Sequence, residues 1–295
     1  MSKRDGKILS LSGMSVSSAE IGELSDYFKA NPDRGMHGIG FSAYEEGQKP
    51  GDELSLAQVQ RRMTIIKPYV QWVRSFSCIQ GNELIPKVAR QQGLQTLVGA
   101  WLGTDEEKNE LEIEALIKLA QDGYVDVAAV GNEVMYRDDL TEAQLIDYIR
   151  RFKAAAPGVP VGYVDAYYEF EDRPAITEIC DVILANCYPF WEGCAIEYSL
   201  LYMKDMYRRT VKVAAGKKVI ITETGWPNKG QTFYGAVPSQ ENAIRYFLNA
   251  QHWAQTDNVD IFYFSSFDES WKVGAEGDVG AYWGLWDKDE KLKYV

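Results

Sequence analysis

The stretch VIITETGWP, Val219 to Pro227, runs apolar and β-branched residues without a break into a carboxylate. Val219 to Thr222 read as a strand covered on both faces. Glu223 ends it, and Gly225, Trp226 and Pro227 turn the chain. A charge at the end of such a strand is costly unless it is paired or used. Seven more runs of this kind occur outward from it: MHGIGFS from Met36, WVRSFSC from Trp72, TLVGAW from Thr96, VDVAAVGNE from Val125, VPVGYVD from Val159, VILANCYP from Val182 and IFYFSSFDE from Ile261. Their cores are apolar rather than alternating, as parallel strands covered on both faces require.

Segments with helical spacing separate them. Ser55 with Gln58, Thr104 with Glu107, and Thr141 with Gln144 have the spacing by which a helix start satisfies its own amides. The helices that follow place Leu111, Ala115 and Leu119, or Leu145, Ile149 and Phe152, along one face. Two longer helices are expected at about 196–215 and 239–256. Strand then helix, repeated eight times with no linker or low-complexity break, predicts a closed (β/α)8 barrel as one domain over residues 1–295. The alternative, an open doubly wound sheet, usually shows a Gly-rich phosphate turn. GMHGIG, Gly35 to Gly40, has its glycines in the wrong order and no helix directly after it.

The 295 residues are 46% hydrophobic, enough for a large core, and carry a net charge of −12 that repels phosphate backbones and anionic lipid. Nucleic acid is therefore not an expected partner, and no stretch has the apolar length to span a bilayer. MSKRDGKILSLSGMSV, Met1 to Val16, lacks an apolar signal core, so either the chain is cytoplasmic or a targeting segment has been removed. Cys78, Cys180, Cys187 and Cys194 read as reduced thiols packed as small hydrophobes. With only His37 and His252, most zinc sites and most Ser-His or Cys-His systems lack their imidazole. No metal or other cofactor is expected.

In a barrel of this kind the strand C-termini form the active face. The predicted ends carry Ser42 to Tyr44, Arg74, Asn132 with Glu133, Asp165, Tyr188, Glu223, and Asp268 with Glu269. Glu133 and Glu223 each end an apolar run, on strands four and seven, which a closed barrel sets nearly opposite one another. Paired carboxylates across a cleft, without metal or histidine, suit glycosidic bond cleavage: one protonates the leaving oxygen, and the other attacks or activates water. Either glutamate alone could equally be a structural partner for an arginine or an amide.

VGNEV and ITETGWP, in this order and on these strands, resemble glycoside hydrolase family 17, the β-1,3-glucanases and β-1,3-glucanosyltransferases. VRSFS, NCYPF and FSSFDESWK extend the resemblance along most of the chain, and the last of these, with the tail and short loops, leans toward bacterial or fungal rather than plant members. The resemblance implies a retaining mechanism, with Glu133 as acid and base and Glu223 as the nucleophile of a covalent glycosyl intermediate. It further implies that Asn132 bonds the sugar 2-hydroxyl and that Arg74 and Tyr188 hold the nucleophile ionised and oriented. Glu269 and Lys272 match an additional pair that contacts substrate hydroxyls or forms an ion pair of its own. The implied partner is β-glucan. The implied setting is extracellular, periplasmic or cell envelope, possibly as a domain cut from a larger protein.

Aromatic residues make up 13% of the chain, so many must be core. Those at predicted loops, Tyr44, Tyr167, Tyr168, Phe190, Trp191, Trp226, Trp271, Trp283 and Trp286, either pack or stack on sugar faces. Trp191 and Trp271 directly follow strand-end motifs and are the first expected in a groove. Three functions stay open: a β-1,3-glucan hydrolase, a glucanosyltransferase using the same two glutamates, and a glucan-binding barrel without activity.

Overall fold

The computed structural model describes residues 35–274 and 276–294. The stretch weighed above for a signal core lies outside them. Eight parallel strands close into a barrel in chain order, β1 pairing with both β2 and β8. They are β1 (Met36–Gly40), β2 (Val70–Ser75), β3 (Gln95–Ala100), β4 (Val127–Asn132), β5 (Val161–Ala166), β6 (Ile183–Asn186), β7 (Val219–Thr224) and β8 (Ile261–Tyr263). The predicted (β/α)8 barrel is the observed fold.

The packing explains why the strands read as unbroken apolar runs. Leu97, Val127, Ala129, Val164, Leu184, Ile220 and Phe262 form a small cluster of their own, with Trp72 packed against it. Their neighbours Val98, Ala128, Ile183, Val219 and Ile221 belong to a separate cluster shared with the helices. Successive side chains point to opposite faces, and here both faces are dry.

The helices are α1 (Leu56–Ile66), α2 (Leu84–Gln91), α3 (Glu106–Gln121), α4 (Glu142–Ala155), α5 (Glu169–Asp172), α6 (Pro174–Ile179), α7 (Ser199–Val213) and α8 (Gln240–Asp257). Ser55 with Gln58 and Thr141 with Gln144 form the reciprocal caps expected of them on α1 and α4. On α3 the expectation fails: the cap is Asp105, whose carboxylate accepts from the Lys108 amide at 3.2 Å, rather than Thr104. A carboxylate also answers the positive end of the helix dipole. Of the predicted inward face of α3, Leu119 is buried and Ala115 packs against the core, but Leu111 is not inward. Leu111 is 54% exposed, while Asn109, Glu112, Ile113 and Leu116 are buried. Two polar side chains win the inward positions because loop amides need them: Glu112 accepts from the Cys78 amide at 2.7 Å, and Asn109 brackets Gly103 through its N–H and its carbonyl. On α4, Leu145, Ile149 and Phe152 are buried as predicted.

The sixth and eighth units depart from a strict repeat. A 3-10 turn (Ile196–Tyr198) precedes α7, and the described chain after β8 forms two 3-10 turns, Ser270–Val273 and Gly277–Tyr282, in place of an α-helix. Trp286 then bridges Phe267 and Leu292, folding the tail back on the barrel. All four cysteines are buried. Among the described residues no helix is long and apolar enough to cross a membrane.

Candidate active site

Three of the strands lose register at their C-terminal ends. The pairing of β4 with β5 shifts between Ala129 and Asn132, that of β6 with β7 between Ala185 and Asn186, and that of β7 with β8 between Ile221 and Thr224. Such irregularities re-aim side chains, and these flank Glu133 and Glu223. At the end of β4 the backbone enters the left-handed region twice, at Gly131 (φ +84°) and at Glu133 itself (φ +52°). Gly131 meets no steric penalty there, whereas Glu133 does, at roughly 1–2 kcal/mol. Just after β7 the position of Gly225 admits only glycine, because a Cβ there would collide with the Phe264 carbonyl.

Glu133 and Glu223 open into one cleft of about 1430 Å³ across the barrel mouth, with Asn132, Asn186 and Tyr188 in its lining. Glu223 is 7% exposed and accepts from Arg74 Nη1 through Oε1 at 2.5 Å and from Tyr188 Oη through Oε2 at 2.8 Å. Arg74 is buried behind the cleft. Its other nitrogen donates to Asn132 Oδ1 at 2.6 Å, so one guanidinium ties the end of β4 to the end of β7. Glu133 meets a different environment. Asn186 Nδ2 donates to its Oε1 at 2.8 Å, and Thr222 donates to Asn186 Oδ1 at 2.9 Å, which fixes the orientation of that amide. Burial above all, then the charge of Glu223, pushes the Glu133 carboxyl up to about 7, against the opposing pull of the Asn186 bond.

Glu269 and Lys272 face the same cleft and pair with each other at 2.7 Å, with Trp271 Nε1 donating to Glu269 at 3.1 Å and the Lys272 ammonium 4.0 Å from the centre of the Phe264 ring. Tyr44 accepts from Asn82 at 3.1 Å and meets Trp271 edge to face. Trp191 and Trp271 both line the cleft, and Trp271 is 37% exposed.

The strand-end acids Asp165 and Asp268 do not line the cleft, and the open choice for three loop aromatics resolves as packing. Asp165 is fully buried, bonded to the Tyr163 hydroxyl and to the Ala166 and Tyr136 amides, and Asp268 pairs with Lys293. Phe190, Trp226 and Trp286 are packing residues, Trp226 donating to the Val237 carbonyl.

Sequence reasoning missed Asn186, which interrupts an apolar strand end just as Glu133 does. It also missed Glu276, pushed up to about 7 by burial with Glu269 and Glu223 nearby, and Trp101, Tyr136 and Phe233, exposed aromatics of the same cleft. His37 stacks on Trp72 at the N-terminal end of β1, away from this mouth.

The model of the BtgE/BtgC glycoside hydrolase domain matches residues 38–284. A β-1,3-glucanosyltransferase of glycoside hydrolase family 17 from Rhizomucor miehei superposes with a TM-score of 0.78 at 29% identity, over 88% of this chain and 95% of that one. The chain belongs to glycoside hydrolase family 17. The chain is also similar to a glucan 1,3-beta-glucosidase of Arthroderma benhamiae, 30% identical over 260 residues, spanning 81% of this chain and 83% of that protein. Another, from Saccharomyces cerevisiae, is 27% identical over 284 residues, spanning 87% and 90%.

Proposed function

We propose that the chain is a retaining β-glycosidase acting on β-1,3-glucan, with Glu133 as general acid and base and Glu223 as nucleophile, in one catalytic domain over residues 1–295. The observation that carries this is the unequal setting of the two carboxyls over one cleft: one raised to about 7, the other engaged at both oxygens by Arg74 and Tyr188. Acid and nucleophile need that asymmetry.

In the first step a Glu223 oxygen attacks the anomeric carbon while the Glu133 proton passes to the leaving glycosidic oxygen. In the second, Glu133 takes a proton from water, whose oxygen displaces Glu223 from the sugar. Asn132, its carbonyl oxygen engaged by Arg74, offers its amide N–H to the sugar 2-hydroxyl. Glu269 and Lys272, paired with each other, present their remaining hydrogen-bonding capacity to substrate hydroxyls. Tyr44, Trp191 and Trp271 supply ring faces. A neutral polymer suits the net charge of −12, and nucleic acid does not. The polymer itself points to an extracellular or envelope setting.

A second reading, transglycosylation, has a specific support: the similar Rhizomucor structures are glucanosyltransferases, one of them an active-site mutant holding laminaritriose. A sugar hydroxyl then replaces water in the second step. Incubation with end-labelled laminari-oligosaccharides decides between them. Shorter products with the β configuration retained indicate hydrolysis, and products longer than the starting material indicate transfer. First-formed α-anomer, or no turnover, would overturn the proposal.

A further inference from the structure

Arg137 has no part in the reaction as derived above, yet every nitrogen of its guanidinium is engaged. Nη1 donates to the Asn132 carbonyl at 2.7 Å, Nη2 to the Leu102 carbonyl at 3.1 Å, and Nε to Asp139 Oδ2 at 2.7 Å. The guanidinium lies 4.8 Å from the centre of the Trp101 ring, which is 43% exposed in the cleft. The Asn132 carbonyl belongs to the peptide that enters Glu133. The N–H of that same peptide donates to the Val164 carbonyl at 2.7 Å, and the Glu133 carbonyl accepts from the Arg137 amide at 3.0 Å. Both peptides flanking Glu133 are therefore held, one of them by the Arg137 side chain and the other by its backbone.

This bracing falls where the backbone needs it. Glu133 sits at φ +52°, a conformation that persists for a non-glycine residue only when its surroundings over-determine it. Trp101 is fixed in parallel: α3 holds the adjacent Gly103 through Asn109 at 2.8 and 2.7 Å, and Arg137 takes the carbonyl of Leu102 between them. The planar fork makes three divergent bonds and one ring contact at once, which an ammonium cannot reproduce.

We propose that Arg137 is a positioning residue that locks the acid-base carboxyl of Glu133 and the Trp101 ring into one rigid unit across the cleft. The inference rests on the glycosidase reading above. Its action is on the aim of the proton donor, so it matters in proportion to how much the leaving group needs a proton. A laminari-oligosaccharide leaves as an alkoxide and needs it. A dinitrophenyl β-glucoside or β-laminarioside leaves as a stable phenolate and does not.

The test compares wild type, Arg137→Met and Arg137→Lys on those two substrate types, with thermal melting of each variant. Arg137→Met is expected to lower kcat/KM on the oligosaccharide by ~10- to 100-fold, part of a general-acid contribution of ~10²–10⁴. On the dinitrophenyl substrate it should lower kcat/KM, which reports formation of the glycosyl intermediate before Glu133 acts as base, less than about 3-fold. Arg137→Lys should recover only part of the loss. A second readout is the alkaline limb of kcat/KM, which moves upward when the Arg137 charge is removed. The other ionisable groups around Glu133 are unchanged by the substitution: Glu223 on β7, Asp165 on β5, Tyr168 beyond β5 and Tyr188 beyond β6. Equal losses on both substrates, or none on the oligosaccharide, overturn the role of Arg137 while leaving the glycosidase reading standing. A wild-type protein without turnover on either substrate overturns both. Should Arg137→Met not fold, Arg137→Lys gives the same comparison, and equal effects on its two substrates overturn the role.

Discussion

Asn186 and Tyr188 stand two positions apart at the end of β6, and each donates to a different glutamate: Asn186 to Glu133 at 2.8 Å, Tyr188 to Glu223 at 2.8 Å. One strand end thus orients both carboxyls, and the spacing of two residues sets the two donors side by side on the mouth.

Glu133→Ala and Glu223→Ala should each lower turnover of laminari-oligosaccharides by several orders of magnitude with the fold intact. Added azide or formate restores part of the activity of Glu223→Ala, because a small anion fills the space the nucleophile left. Near wild-type rates in either variant, measured by reducing-end release, contradict the assignment.

Asn186→Ala removes the donor from Glu133 and should lower kcat by about 10- to 100-fold, in line with the loss of one well-placed donor in an active site. That donor also holds the Glu133 carboxyl lower than burial alone would, so its loss moves the alkaline limb of the kcat/KM profile to higher pH. Thr222→Val, which frees the Asn186 amide to rotate, should show the same sign at a smaller size. A limb that stays still in Asn186→Ala would rule the contact out as functional.

Glu112, Glu133 and Glu276 are pushed up to about 7 and Asp165 to about 6, in each case chiefly by burial. In the interval from the ordinary glutamate value of 4.5 to about 7 the folded chain binds protons that the unfolded chain has released. Stability therefore declines as pH rises through that window. Glu110 and Glu290, lowered by Arg151 and Arg61, act with the opposite sign only as pH falls below the ordinary value, and His37, lowered by burial to about 4, opposes the trend up to its ordinary value of 6.5 as one group against four. Thermal midpoints should be higher near pH 5 than near pH 8, and Glu112→Gln should flatten the slope. Midpoints that rise steadily toward pH 8 would refute it.

The two faces of α3 differ sharply in what they tolerate. Leu111→Lys should change stability by less than about 0.5 kcal/mol, whereas Ile113→Ala should cost about 2–5 kcal/mol by opening a cavity. Chemical denaturation of the two variants checks this directly.

By sequence both Trp271 and Trp286 are loop aromatics, with Trp271 the earlier expected in a groove, and the structure separates them. Trp271→Ala should raise KM for oligosaccharide several-fold with little change in melting, as loss of about 1 kcal/mol of stacking implies. Trp286→Ala, at a 2% exposed position bridging the tail to the barrel, should instead lose about 3–5 kcal/mol of stability. The reverse pattern would mean that the groove lies elsewhere.

The barrel itself was legible because eight apolar runs, doubly covered, have few other ways to hide both faces. Glu133 and Glu223 were legible for a related reason: each breaks an apolar run at its last position. Asn186 breaks one too, but a neutral amide is a weaker irregularity than a charge. On α3, Leu119 and Ala115 lie inward as expected but Leu111 does not, because hydrophobic periodicity gives no weight to Glu112 and Asn109, whose burial follows from amides contributed by loops.

The sequence alone determined that strands alternate with helices and that two carboxylates end strands four and seven. Those are local facts, carried by the order of apolar and charged residues. Only the tertiary structure decided which donors meet each carboxylate, why Glu133 bears the raised affinity for its proton, and which tryptophans face the cleft. These depend on residues far apart in the chain, Arg74 beside Glu223 and Asn186 beside Glu133, and closing the barrel is what brings them within bonding distance.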